Sequence, residues 1–261
     1  MVSLRSRELL PESRYVWRAR RPGHTHRLIC FPHAGAGASA FAGWADLLPP
    51  EIELVAVQPP GRQNRIAEEP FTEVGPLVNA LVHALRPEFA GGFSFFGHSC
   101  GAALAYELAS ALRARGRQGP EHLFLSAQPA PGVTGVRRLH DLPDEEFLAE
   151  LAALGGMDPE LSQDADAIGA LLPLLRADFA LWERHDPSPS GPLECPITVL
   201  CGESDSRAPL TAMSPWRTRT AAEFRIRVFP GGHFYFLDAV AEVVPAIAET
   251  ILAATIGRRR T

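Results

Sequence analysis

A serine set between two glycines, where an apolar run gives way to an alanine-rich one, is the most chemically pointed feature of the chain: Phe95-Phe96-Gly97-His98-Ser99-Cys100-Gly101-Ala102-Ala103. Glycines at these two positions let a strand turn sharply into a helix, which lifts the serine hydroxyl clear of the backbone. The start of the helix behind it favours negative charge nearby. A serine hydroxyl is a weak nucleophile at neutral pH, so this chemistry also needs a base and a group that orients the base.

On the α/β-hydrolase arrangement that carries such a turn, the acid and then the histidine follow the serine along the chain. Beyond the motif itself, His122, His140, His185 and His233 follow Ser99. His233 lies in Phe229-Pro230-Gly231-Gly232-His233-Phe234, a glycine loop between the last strand candidate and the last helix candidate, and is the expected base. The run Ile197-Thr198-Val199-Leu200-Cys201-Gly202-Glu203-Ser204-Asp205 offers two carboxylates after a buried strand. Asp205 is the expected acid, with Glu203 as the alternative. A tetrahedral intermediate needs backbone N–H donors aimed at its oxygen. The residue after the nucleophile, Cys100, supplies one, and Ala34 in Phe31-Pro32-His33-Ala34-Gly35-Ala36-Gly37 is the candidate for the second. That stretch reads equally as a glycine-rich turn before a helix. It contains no G-K-[ST], which disfavours nucleotide binding.

These residues need strands to carry them. Short apolar runs at Arg27–Phe31, Glu53–Val57, Phe93–Phe96, His122–Ser126, Ile197–Cys201 and Arg225–Phe229 alternate with helical patterns at Val74–Pro87, Ala102–Arg115 and Val240–Ile256. The alternation predicts an α/β fold with a mostly parallel central sheet flanked by helices, and the nearly all-apolar strands predict a sheet covered on both faces. One stretch breaks the pattern. Helical periodicities at Asp144–Leu154 and Ile168–Arg184 follow each other with no strand between them. The second is apolar on more sides than one buried face requires, which favours a helical cap (lid) insertion over about 136–190 rather than packing at the sheet edge. The whole chain, 1–261, then reads as one domain with this insertion.

The bulk properties narrow the class. With 261 residues, 46% of them hydrophobic, the chain buries a full core, and a net charge of -5 gives no electrostatic case for nucleic acid. All 25 basic residues are arginine. Cys30, Cys100, Cys195 and Cys201 form no CxxC pair and read as buried thiols rather than a disulfide frame or zinc site. The Arg-rich start has no apolar signal core, and no run of about 18 apolar residues occurs, so no membrane association and a cytoplasmic setting are expected.

Taken together, Cys30-Phe31-Pro32-His33-Ala34-Gly35, Val57-Gln58-Pro59-Pro60-Gly61-Arg62, Phe96-Gly97-His98-Ser99-Cys100-Gly101-Ala102, the Asp205 loop and Gly231-Gly232-His233-Phe234 resemble the free-standing type II thioesterases of polyketide and nonribosomal peptide synthases. The resemblance spans nearly the whole chain, and the Pro-Gly-Arg segment discriminates best, since general lipases do not share it. It implies hydrolysis of stalled or aberrant acyl groups from the phosphopantetheine thiol of acyl or peptidyl carrier proteins, through a Ser-His-Asp triad and an acyl-enzyme. It also implies a two-helix cap whose Phe147 and Phe179 shape the acyl pocket, and no metal or organic cofactor. A monomer is the default. Arg62, Arg65 and Arg184 are weak candidates for positioning an acidic carrier, against a plain solvated reading. The chain departs from the family at Cys100, where Met is common, and at Ala127-Gln128-Pro129-Ala130-Pro131, where an arginine pair often stands. The alternatives are a medium-chain acyl-carrier-protein thioesterase or a carboxylesterase on the same triad, and a carrier-binding module with vestigial chemistry.

Overall fold

The computed structural model describes residues 8–156, 164–186 and 191–258. Its strands are β1 (Leu10–Pro11), β2 (Val16–Ala19), β3 (His26–Phe31), β4 (Ile52–Val57), β5 (Gly92–His98), β6 (Leu123–Ser126), β7 (Ile197–Gly202) and β8 (Phe224–Phe229). They form one sheet in the order β1-β2-β4-β3-β5-β6-β7-β8. β2 pairs antiparallel with both β1 and β4, and the pairings among β3 to β8 are all parallel. β4, β6 and β7 are buried at every residue, as strands covered on both faces must be.

The helices are α1 (Trp44–Leu47), α2 (Val74–Ala84), α3 (Cys100–Ala114), α4 (Asp144–Leu154), α5 (Ala165–Glu183), α6 (Leu210–Met213), α7 (Tyr235–Asp238) and α8 (Val240–Arg258). α3 is the central one. Ala102, Ala105 and Ala109 are buried, and their small side chains let the helix lie close to the sheet. No helix among the described residues is long and apolar enough to cross a membrane.

The six strands read from the sequence are present with their ends shifted by at most two residues. β1 and β2 are additional. β2 is only four residues, Val-Trp-Arg-Ala, and its Arg18 is buried because Glu53 and Glu88 take its guanidinium at 2.6 and 2.5 Å. An interior arginine hides such a strand from a hydrophobicity pattern.

α4 and α5 both fall in the interrupted stretch, whose segments 157–163 and 187–190 lie outside the described residues. The two helices, with Leu139 from the segment before α4, build a small separate core of Leu139, Phe147, Leu151, Leu175 and Phe179, with Ala34 packed against it. α5 also sends Leu181 into the main core. It is apolar on several sides because it serves two clusters.

Candidate active site

Parallel pairing sets the residues that follow β3, β5, β7 and β8 side by side. Phe31 pairs with Gly97, His98 with Ser126, and Gly202 with Phe229, so the loops carrying Ala34, Ser99, Asp205 and His233 leave the same carboxyl edge of the sheet. Such edges are where open α/β sheets bind ligands.

Ser99 sits at φ 53°, ψ −125°, a strained conformation for a residue with a side chain, between the end of β5 and the start of α3. The turn is as tight as the glycines predict. A Cβ on Gly97 would lie 2.1 Å from the Gly101 carbonyl oxygen, and one on Gly101 would lie 2.1 Å from that of Phe31. The Ser99 N–H donates to the Ser126 carbonyl at 2.8 Å, which ties the turn to β6. Cys100 is the first residue of α3, where a backbone N–H has no partner within the helix.

His233 and Asp205 meet: Nδ1 of the imidazole is 2.9 Å from Oδ2 of the carboxylate, and both residues are buried. The other carboxylate oxygen, Oδ1, accepts the backbone N–H groups of Arg207 and Ala208 at 2.9 and 3.0 Å. Burial alone would raise the Asp205 pKa, but the hydrogen bond and charge of His233 and these two N–H groups outweigh it and hold the carboxyl below its usual value. Glu203 is exposed. The two loops are pressed together, since a Cβ on Gly202 would lie 2.1 Å from the Gly232 carbonyl oxygen.

Two cavities meet at Ser99. One, of about 250 Å³, is largely apolar. Ala34, Ser99 and His233 line it together with Leu151 of α4 and Leu171, Leu175 and Phe179 of α5. The other, of about 430 Å³, runs from Ser99 and Cys100 past Gln128 and Glu183 to Arg137 and Arg138. Phe179 borders both. Phe147 stands behind it, fully buried, with its ring edge-on to Phe179 at 5.4 Å, and lines neither cavity.

Two arginines depart from expectation. Arg62 and Arg65 are buried rather than solvated and so do not face a docking partner. Arg62 is paired with Asp178, and Arg65 donates to Glu68 and the Gln58 carbonyl while lying over the Tyr15 ring. Arg184 is exposed, with Nε 2.9 Å from the ring of His140. Sequence reasoning passed over Asp178. Its signal is a lone carboxylate inside the apolar run Leu171-Leu172-Pro173-Leu174-Leu175-Arg176-Ala177-Asp178-Phe179.

A mostly parallel sheet with a strained serine turn at its carboxyl edge and a histidine–carboxylate pair beside it defines a hydrolase of the α/β class. Residues 26–255 match the family model described as Thioesterase domain. Thioesterase PikA5 of Streptomyces venezuelae is 39% identical over 232 residues, covering 88% of this chain and 83% of that protein. Among solved structures, the RedJ thioesterase of the prodiginine pathway in Streptomyces coelicolor is 38% identical at a TM-score of 0.82, covering 87% of this chain and 90% of that one. The type II thioesterase BorB of the borrelidin cluster is 35% identical at a TM-score of 0.83, covering 92% and 99%. The chain belongs to the thioesterase family, and it is a serine hydrolase acting on thioesters.

Proposed function

We propose that Ser99 attacks the thioester carbonyl while His233, held by Asp205, takes the hydroxyl proton, and that the Cys100 and Ala34 N–H groups bind the resulting oxyanion. The pantetheine thiol leaves with a proton from His233. Water activated by the same imidazole then releases the acid and restores Ser99. The observation that carries this reading is the meeting of two unlike cavities at Ser99. The apolar one under the cap suits an acyl chain, and the larger one, of mixed polar and apolar lining, suits the phosphopantetheine arm, with Arg137 and Arg138 toward its phosphate.

The substrate on this reading is an aberrant or stalled acyl group on an acyl or peptidyl carrier protein, and the role is type II editing beside a polyketide or nonribosomal peptide synthase. The protein works in the cytoplasm as a monomer, with the segment 136–190 as its cap. Phe179 bounds the acyl pocket, and Phe147 supports it from behind.

The test compares one short acyl group on a carrier protein, on coenzyme A and as a simple aryl ester. A kcat/KM highest on the carrier is expected. An ester turned over as well as the carrier thioester would point to a carboxylesterase instead.

A further inference from the structure

The cap helix α5 does more than cover the apolar cavity. Asp178, buried on its inner face, accepts the backbone N–H of Gly35 on Oδ2 at 2.7 Å. The same oxygen takes Nη1 of Arg62 at 2.6 Å, and Oδ1 takes Nη2 at 3.0 Å, a two-pronged pairing. Leu175, one turn earlier on the same helix, presses on the same spot: a Cβ on Gly35 would lie 2.6 Å from its Cδ2. Gly35 itself has φ +74°, which glycine adopts without strain.

The loop is gripped from the other side as well. Gln58 Oε1 accepts the Ala38 N–H at 2.8 Å, and Gln58 Nε2 donates to the Arg62 carbonyl at 3.0 Å. Arg62 Nε donates to the Pro60 carbonyl at 2.9 Å. Residues 34–38 thus lie between the Gln-Pro-Pro-Gly-Arg segment and α5, and Asp178 joins all three parts.

We propose that Asp178 is a positioning residue for the oxyanion site, with Arg62 as its necessary counter-charge. Fixing the Gly35 N–H fixes the peptide plane next to that of Ala34, and so the direction in which the Ala34 N–H points. Donors aimed in advance at a developing charge carry most of their value because they need no reorganisation when it forms. The carboxylate has a second effect. Asp178 lines a small cavity together with Ala34 and Cys100, so its negative charge, left bare, would oppose the oxyanion, and the guanidinium of Arg62 cancels it. The Pro-Gly-Arg segment therefore serves catalysis through the cap, without touching substrate.

The inference rests on the reading of Ser99 and Ala34 given above, and the test separates the two. A short alkyl trifluoromethyl ketone is the probe. Ser99 Oγ bonds to the ketone carbon, its proton passes to His233, and the C=O π pair becomes an alkoxide in the oxyanion site. The wild-type protein should bind the ketone far more tightly than Ser99→Ala does, and equal binding would overturn the site reading itself. With that in hand, Asp178→Asn should lower kcat on a short acyl thioester at least tenfold, leave KM within twofold, and weaken the ketone by the same factor as kcat. A smaller loss of kcat, or a loss carried in KM with ketone affinity intact, overturns the positioning role. Should Asp178→Asn not fold, the paired variant Arg62→Met/Asp178→Leu replaces both charges with apolar bulk and keeps the packing. It should fold and still show both losses, because the Gly35 N–H has no acceptor. Wild-type kcat in that variant overturns the proposal.

Discussion

The imidazole of His98 lies 5.2 Å from that of His233, ring centre to ring centre, and His33 stands 5.8 Å beyond it. Burial, then the charges of His233 and His33, lower the His98 pKa well below its usual value. Burial, His233 and Arg62 lower that of His33 to about 4. Both neighbours stay neutral where the enzyme works, so neither opposes a proton on His233. The acid limb of the kcat/KM–pH profile should therefore follow a single ionisation down to about pH 5. A limb steeper than one proton would mean that a second ring titrates with it.

Ser99→Ala should lose on the order of 10⁴ to 10⁶ in turnover with its thermal unfolding unchanged. Asp205→Asn should lose on the order of 10² to 10⁴, because His233 would lose the acceptor that orients it. Exposed Glu203, changed to Gln, should stay within threefold of wild type. Steady-state kinetics on one thioester decide the matter, and a reversed order of Asp205 and Glu203 would reassign the acid.

Cys100→Ala should keep substantial activity. Burial first, and then the charge of Asp178, pushes the Cys100 thiol up to about 12, so no thiolate is available at neutral pH. Only the backbone N–H is asked to act, and alanine retains it. A loss comparable to that of Ser99→Ala would contradict this.

Phe179→Leu should widen the acyl cavity toward Phe147. On thioesters of increasing length, kcat/KM for chains longer than the wild-type optimum should rise about tenfold relative to short ones, the scale of one or two methylenes in an apolar pocket. An unchanged length profile would remove Phe179 from the pocket wall.

A stability test lies away from the site. His122 is buried before β6, stacked on Phe124 and 2.8 Å from the Thr198 hydroxyl. Burial, then the charge of Arg225, lowers its pKa from 6.5 to about 4. Between those values the unfolded chain binds a proton that the folded chain refuses, so stability falls as pH drops from 6.5 and levels off below 4. The full effect is about 3 kcal/mol. Urea unfolding of His122→Phe should show about 2 kcal/mol less loss between pH 7.5 and 4.5 than wild type. An equal loss would assign the acid sensitivity elsewhere.

The elements around the site were legible because each has a local signature. Gly97 and Gly101 announce the turn, and Gly231-Gly232 announces the loop before His233. Asp144–Leu154 reads as the same helix in sequence and structure. What stayed hidden depends on contacts far apart in the chain. Arg62 reads as a solvated cation until Asp178, 116 residues away, arrives on α5. Arg18 conceals β2 because its partners Glu53 and Glu88 come from β4 and the turn before β5. Periodicity measures burial of apolar groups and is blind to a charge buried with its counter-charge.

The two ends of the sheet bear on what happens when many copies of the protein share a small volume. An open sheet offers unpaired backbone at its margins, a template on which another copy can add. Here one margin is β1, two residues long and half proline, with both residues exposed. The other is β8, where Arg225 and Arg227 interrupt the apolar residues and Glu223 pairs with Arg225 at 2.7 Å. A second copy docking strand to strand would find almost no donor row on one side and would set arginine near arginine in parallel register on the other. Concentrated solutions should therefore resist seeding of fibrils by the native fold, and aggregation on heating should have to wait for the sheet itself to open.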